Sequence, residues 1–321
     1  MKISRRVLLA ALAAATALPC AAQSAYPAKP IRLIVPSPPG GGTDTLARLV
    51  ATKLGESLQW QLVADNRPGA GGNLGMDAAA KSTPDGYTIA MGESANLAIN
   101  PSLYAKMPFD PAKDLVPVVL VGTVPLVMVV APGRGLDSTA AIIAAAKARP
   151  LSFASSGNGT VGHMVGEMWK RAAGIELLHV PYKGAGPVMT DLMGGQVDLH
   201  FASFPAAASL IKGGKLLPLA VTTAQRTALL PEVPTLAELG FKDFDYRVFY
   251  GVVAPASTPG PVVARLNAEI NRILQMSETR ASLNTSGVEG RGGTPEQFAA
   301  FLDAQREQWA RVVKVSGAKV D

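Results

Sequence analysis

The sequence predicts an α/β protein of two lobes, each built on a mainly parallel sheet, joined by two crossing strands. Three observations predict it. Short apolar runs bounded by Gly and Pro alternate with segments of helical periodicity, the βαβ order that implies parallel strands and right-handed crossovers. The run VPVVLVGTVPLVMVV, residues 116–130, is roughly twice an ordinary strand and can leave one lobe and enter another. A second run far downstream, YRVFYGVVAP, is a candidate for the return crossing.

The elements follow in order. IRLIVPS (31–37) reads as a buried strand ending in PPGGG, and 43–58 follows as a helix with Leu46, Leu49, Val50 and Leu54 on one face. QLVADN is the next strand, GAGGNLGMDAAAKS a turn into a short Ala-rich helix, and DGYTIAMGES a third strand entered through Asp85-Gly86. Beyond the long run a new series begins: LSFASS, a helix over 164–173 closed by Gly174, IELLHVPY, a helix from Pro187, QVDLHFAS, a helix near 206–211, and LLPLAVT. The Pro-punctuated LLPEVPTLAELGF then leads to the second crossing strand. The carboxyl-terminal part is helical: Val262, Val263, Leu266, Ile270, Ile273 and Leu274 form one face, and Thr294-Pro295-Glu296-Gln297 is a capping box opening the last helix. Lobe 1 is therefore expected to comprise 26–122 and 250–321, and lobe 2 residues 123–249. Ligands of such open α/β sheets sit at the carboxyl ends of the strands, here in the cleft between lobes.

The first residues point to export. Lys2, Arg5 and Arg6 precede an apolar run over 7–18 and small residues around Cys20-Ala21-Ala22. That is a signal peptide of residues 1–22, cleaved after Ala22 or as late as Ala25, and too short for a membrane span. The expected destination is the periplasm, by the Sec route or, given SRRVLLA, by twin-arginine export. Cys20 invites lipidation, but Pro19 stands where a small residue is wanted. It is the only cysteine, so the mature chain is expected to use neither disulfides nor thiolate chemistry.

Roughly 300 mature residues can bury the cores of two lobes. Removing Lys2, Arg5 and Arg6 leaves 27 basic side chains against 24 acidic ones, a net of +3. With no dense basic run and 6% aromatic residues, nucleic acid is not an expected partner. No apolar run of about 18 residues remains after the signal, so the mature chain is expected to be soluble.

The stretch FASSGNGTVGHM (153–164) carries the most chemistry. Its Gly157, Gly159 and Gly162 follow a strand and open a helix, as in a dinucleotide fingerprint. The fingerprint also needs a ribose-binding acid at the end of the next strand. That strand ends with His179, Tyr182 and Lys183, and the nearby acid Glu176 is at its wrong end. No cofactor is expected. A Ser/His hydrolase would use Ser156 and His163, but S-S-G-N-G is not the G-x-S-x-G elbow and no acid is placed to orient the histidine. His163 and His179 serve equally well as hydrogen-bonded structural residues, and the hydrolase stays an alternative. His163, His179 and His200 fall on separate elements without i, i+3 or i, i+4 spacing among them, so no metal site is expected.

An anion cradle asks for less. A Gly- and hydroxyl-rich turn at a helix amino terminus offers unpaired N–H groups and the positive end of the dipole. FASSGNGTVGHM, PSPPGGGTDTLA and YKGAGP (182–187) are three such turns, and GESANLAINP adds a strand-end loop with Ser94 and Asn96. Each alone could be simple capping. Together, split between two lobes, they describe a clamp for a small anion.

At these residues the chain resembles the tripartite tricarboxylate transporter receptors, the Bug family of periplasmic solute-binding proteins. The resemblance runs from the signal to the last helix through PSPPGGGTDTLAR, NRPGAGGNLG, TPDGYTI, LSFASSGNGTVGHM, HVPYKGAGP, DLMGGQVDLHF, GKLLPLAVTT, PEVPTLAELG and YGVVAPASTP. It implies a type II periplasmic-binding-protein fold with a Venus-flytrap hinge. It implies a monomeric, non-enzymatic receptor that captures a small organic carboxylate, partly through ordered water, and delivers it to membrane permease subunits. A periplasmic receptor that presents its closed form to a two-component sensor kinase is the alternative. Carried onto this chain, the ligand residues are Ser37, Gly41, Thr43 and Asp44, then Ser94, Ala95 and Asn96. The second lobe adds Ser155, Ser156, Asn158, Gly159, Thr160 and His163, then Tyr182, Lys183, Gly184 and Ala185. Asp44 has two readings, a cap for the helix after PGGG or an organiser of bound water. Three positions depart from the family: Ser37 replaces an aromatic, Ala202 and Ser203 replace an acidic or amide pair, and Phe249 replaces a Trp. Ser203 and Phe249 therefore join the expected cleft lining with more room around them. Without an acid at position 202, the expected ligand is a mono- or dicarboxylate that carries no amine, an aromatic one included.

Overall fold

The computed structural model describes residues 26–320. The expected signal segment with Cys20 lies outside the described residues. The strands are β1 (Ile31–Val35), β2 (Leu62–Asn66), β3 (Thr88–Glu93), β4 (Leu115–Val130), β5 (Ser152–Ser155), β6 (Leu178–Pro181), β7 (Leu199–Ser203), β8 (Leu217–Val221), β9 (Arg247–Pro255) and β10 (Glu289–Gly290). The helices are α1 (Gly42–Leu58), α2 (Asn73–Ala80), α3 (Asn100–Leu103), α4 (Thr139–Ala148), α5 (Val161–Ala173), α6 (Ala185–Met193), α7 (Phe204–Lys212), α8 (Gly260–Gln275), α9 (Ser277–Thr285) and α10 (Pro295–Ser316).

The strands form one curled sheet in the order β2-β1-β3-β9-β4-β7-β5-β6, with β8 and β10 also paired to β4. Parallel pairs lie at both ends, β1 with β2 and β3, and β5 with β6 and β7. Between them β9 and β4 run antiparallel to their neighbours. The long apolar run is a single 16-residue strand, β4, buried throughout from Val118 onward. Its first part, to Pro125, pairs with β9, and its last part, from Leu126, pairs with β7 and β8. A strand flanked by protein on both faces needs no polar alternation, which is why it reads as continuous Val and Leu. β4 is thus the bridge between two parallel half-sheets.

The return crossing is shorter than YRVFYGVVAP suggested. β9 begins with Arg247 opposite Pro125, and only Tyr246 reaches back, donating its N–H to Thr222 O at 3.0 Å. Thr222 ties the two crossings together, its hydroxyl donating to Tyr246 O (2.6 Å) and accepting from Leu126 N–H (3.3 Å). A file of aromatic rings, Trp169, Phe241, Phe244, Tyr246 and Trp309, continues this seam from α5 to α10.

The expected capping box is present at α10, where Thr294 Oγ1 accepts from Gln297 N–H and Gln297 Oε1 from Thr294 N–H. Helix α4 and the short β10 were not expected, and one expected loop is differently built. GESANLAINP, read as a loop, forms a π-helical turn (Ala95–Ile99) that runs into α3. Its apolar Leu97, Ala98 and Ile99 are fully buried, and coiling lets them reach the core while the backbone bonds to itself.

Candidate functional site

The loops that follow β1, β2 and β3 meet the loops that follow β5 and β6. A methyl group added to Gly159 would lie 2.5 Å from Asn100 Oδ1, and one on Gly71 would lie 3.4 Å from the Asn158 carbonyl. Gly184 faces Pro38 in the same way, at 3.8 Å. The two half-sheets therefore close on each other through glycines, with φ of +79° at Gly159, +63° at Gly71 and +109° at Gly184. At Gly159 the approach leaves no room for a side chain, whereas at Gly71 and Gly184 the contact across the halves is ordinary packing and the left-handed φ is what favours glycine.

On the first half, Asp44 organises the PPGGG loop. It is buried, and its carboxylate accepts from Gly40 N–H (2.9 Å), Asn66 Nδ2 (2.9 Å) and Arg48 Nε (3.0 Å). Asn66 Nδ2 also donates to the Ser37 carbonyl at 3.0 Å. Burial alone would raise the Asp44 pKa, but the bonds from Arg48, Gly40 and Asn66 outweigh it and hold the carboxyl below its usual range. The cap reading of Asp44 does not hold, since Gly41 stands at the N-cap of α1 with no side-chain cap bond; the carboxylate ties the loop together instead. Thr43, also buried, donates its hydroxyl to Glu93 Oε2 at 2.7 Å. Glu93 keeps some surface, yet enough protein surrounds the carboxyl that desolvation raises its pKa, opposed by the Thr43 bond.

Three buried polar atoms at this end have no protein partner: Ser37 Oγ, Asn96 Nδ2 and Asn100 Oδ1. Asn100 Nδ2 is engaged, donating to Asn73 Oδ1 (2.7 Å) and Gly71 O (3.0 Å). Native proteins pair nearly all such groups with protein or water, so each of these atoms has a bond left to give to a water or a ligand. Ser94 and Phe249 are placed differently from the expectation. Both are buried, the Phe249 N–H donates to Ser94 Oγ at 2.9 Å, and the ring packs edge-on to Phe301. The pair fastens the β3 loop to β9. Ala95 is buried in the π-helical turn beside Asn96.

On the second half, the Gly-rich turn is held from beneath by two histidines. Ser155 is buried, its Oγ 2.7 Å from His179 Nε2 and bonded to the Gly157 backbone. Gly159 donates its N–H to His163 Nδ1 at 3.2 Å. The two imidazoles stack at 4.0 Å with planes 9° apart, and Phe153 stacks on His179 at 4.8 Å. Burial comes first among the causes that push His163 down to about 3 and His179 to about 4, with Lys170 adding to both and His179 to His163. Both rings are neutral props. Ser155, Gly159 and His163 therefore shape the turn through bonds already committed to protein.

The residues left facing outward are Ser156, Asn158 and Thr160, all partly exposed. Thr160 caps α5 by accepting from His163 N–H, and its hydroxyl donates to Gly157 O. The Gly184 N–H donates to the Ser156 carbonyl at 3.0 Å, joining the YKGAGP loop to this turn. Tyr182 points its hydroxyl to Asp191 (2.7 Å); desolvation, helped by that bond, pushes the phenol up to about 12. Lys183 is exposed, Ala185 starts α6, and Ser203 is the residue before α7.

The rival chemistries find no support in these positions. Among the described residues Ser156 has no hydrogen bond to a histidine, so no nucleophile–base pair forms. The histidines are not as scattered as the spacing suggested: His163 and Glu167, at i and i+4, come together with His179, ligand atoms within 4.8 Å of one another. A metal ion must lie close to the plane of every imidazole that ligates it. Parallel rings 4.0 Å apart share no plane, and Glu167 is already paired with Lys170 at 2.9 Å. The cluster is built as a stack. An open groove of about 280 Å³ along α1, between Arg48, Pro205, Tyr250 and Ser282, contains none of the expected binding residues.

Comparison with known proteins decides the family. The family model described as "Tripartite tricarboxylate transporter family receptor" matches residues 46–318. The chain belongs to this family. Protein BugT of Bordetella pertussis is 40% identical over all of both chains. The R. palustris protein Rpa4515, solved with adipate, is 36% identical and superposes with a TM-score of 0.89, covering 92% of this chain and 100% of that one. MatC of Rhodopseudomonas palustris, solved with bound malate, is 28% identical with a TM-score of 0.85, covering 90% and 100%. The fold is thus that of the periplasmic binding proteins, and the chain is a solute-binding receptor of this family rather than an enzyme. No described helix is long and apolar enough to cross a membrane.

The sequence missed Glu93, Asn73, Asn100 and Gly71. A signal existed for Asn100: a polar residue at the end of the apolar LAI run, directly before a proline, is out of place unless its amide has a task. Glu93 gave none, since a lone acid at a strand end reads as a solvated one.

Proposed function

We propose that this receptor captures a small organic carboxylate between its two half-sheets in the periplasm and delivers it to the permease of a tripartite tricarboxylate transporter. The observation that carries the reading is the pair of unpartnered donors on the first half, Ser37 Oγ and Asn96 Nδ2, together with the Gly-rich turn at the amino end of α5, which packs against the same half where Gly159 meets Asn100. Hydroxyl, amide and N–H donors hold a carboxylate without a fixed counter-charge, directly or through water. The adipate and malate found in two relatives support the same ligand class. In this reading Ser37, Asn96, Ser156, Asn158, Thr160 and Tyr182 touch the ligand or its waters, while Asp44, Ser155 and His163 hold the loops in shape. The ligand contacts both halves only when they are closed, so binding shifts the population toward that state.

A thermal-shift screen of the mature protein tests it, with adipate, malate, aromatic monocarboxylates, neutral sugars and amines. A ligand at 100 times its Kd adds about 2.7 kcal/mol of stability, worth several degrees of Tm. Shifts from sugars or amines alone, with none from carboxylates, would overturn the reading.

A further inference from the structure

Glu93 ends β3, and its side chain reaches the first turn of α1, where Oε2 accepts the Thr43 hydroxyl at 2.7 Å. Its N–H donates to Asn96 Oδ1 at 3.0 Å, and the Nδ2 of that fully buried asparagine is one of the orphaned donors. The Glu93 carboxyl therefore stands between the PPGGG loop and the SAN loop, the two first-half segments proposed to receive the ligand. The amino end of α1 favours one negative charge, and Asp44 already supplies it within a closed set of bonds from Gly40, Arg48 and Asn66. Arg48 is engaged there, and among the described residues no Lys or Arg pairs with Glu93. The other titratable group against it is Tyr250 of β9, its partner in the strand register, whose phenol is raised by burial and by Glu93 itself.

An ionised Glu93 repels a carboxylate arriving beside it, whereas a carboxylic acid donates a hydrogen bond to it. We propose that the receptor takes up one proton with its ligand: Glu93 binds as the neutral acid, donates its O–H to the ligand carboxylate, and shares that carboxylate with Asn96 Nδ2. The proton comes from bulk water, and no other bond forms or breaks. Desolvation already lifts the Glu93 pKa in the ligand-free chain, and a second carboxylate nearby lifts it further. His163 and His179 cannot supply this uptake near neutrality, since burial holds both neutral to about pH 4 and below.

The inference rests on the carboxylate reading above, and calorimetry separates the two. Adipate and malate, with any other carboxylate that shifts Tm, are titrated at pH 7.5 into the mature protein in phosphate and in Tris. Those buffers differ in ionisation enthalpy, so the difference in observed heat counts protons. The expected result is an uptake approaching one proton in the natural protein and none in Glu93→Gln, which keeps a donor and the side-chain shape. Affinity of the natural protein should fall up to about tenfold per pH unit on the alkaline side, and that of Glu93→Gln should not. Binding with equal heats in both buffers overturns the proton-uptake proposal and leaves the carboxylate reading standing. Uptake that persists in Glu93→Gln also overturns it. Failure of every carboxylate to bind overturns both. The buffer comparison on the natural protein decides the matter even if the variant folds poorly.

Discussion

His163 and His179 lie face to face, ring centroids 4.0 Å apart, although one belongs to α5 and the other to β6. Such a stack is stable only while both rings are neutral. With His200, also buried, they make the chain sensitive to acid. A histidine that is neutral when folded and ordinary when unfolded leaves the unfolded chain holding the extra proton below pH 6.5. Stability is therefore fully present above 6.5 and falls as pH drops toward the folded values, about 3 for His163 and about 4 for His200. The slope is up to about 1.4 kcal/mol per pH unit for each of these two rings. Melting the mature protein at pH 7.5, 6.0 and 5.0 should show a steady decline in Tm. In His163→Gln the protein should start lower and decline less steeply. A flat Tm across this range would show that the rings are not held neutral by burial.

Asp44→Ala tests whether that carboxylate ties the loop together. The change strands the Gly40 N–H and the Asn66 amide, and releases an Arg48 whose exposed side makes its own share small. A loss of about 2 kcal/mol is expected, since bonds to a buried charge are worth roughly 1.5–3 kcal/mol. Urea denaturation should show the midpoint move with the slope unchanged, and carboxylate affinity should fall as the loop loosens. Unchanged stability would mean that water replaces the carboxylate at no cost.

How much of this was legible beforehand depended on whether a residue acts locally or across space. β4 declared itself because a strand covered on both faces must be apolar along its length. The α10 capping box declared itself because its bonds lie within four residues. The loops were legible as Gly- and hydroxyl-rich turns at strand ends, and the structure does bring those of the two halves together. What each loop residue does was not legible. Ser155 and His163 sit in the right turn, but their polar atoms are spent on His179 and Gly159, contacts made through the β5–β6 pairing. Ser94 looked like a strand-end hydroxyl until β9 was laid beside it.

Ser94→Ala separates the structural reading from a ligand-contact one. The Ser94 hydroxyl accepts the Phe249 N–H at 2.9 Å, inside protein. Its removal leaves a buried donor unpaired, at a cost of about 1–3 kcal/mol. Tm should fall by several degrees, while calorimetric Kd for a carboxylate, measured well below that Tm, should stay within about twofold. A large loss of affinity in a protein of unchanged Tm would instead put the hydroxyl on the ligand.

Gly159 is the position where closure can be blocked with one methyl group. Its φ of +79° makes any L side chain strained, and the new carbon would sit 2.5 Å from Asn100 Oδ1 and 3.1 Å from Leu103. The backbone penalty for alanine is about 1 kcal/mol, small enough for the chain to remain folded. The clash is relieved by moving the two half-sheets apart, which is the motion that binding must reverse. Gly159→Ala should therefore fold with a modest loss of Tm but bind carboxylate at least about tenfold more weakly. Small-angle scattering at saturating ligand should show compaction in the natural protein and fail to show it in the variant. Asn100→Gly removes the obstructing amide, so the double variant separates closure from local strain. If the contact with Asn100 is the obstacle, the double variant regains compaction even though it has lost a polar group. If compaction is absent from both, the obstacle is the strained turn itself. A Gly159→Ala protein that compacts and binds like the natural one would show that the half-sheets do not meet at this point.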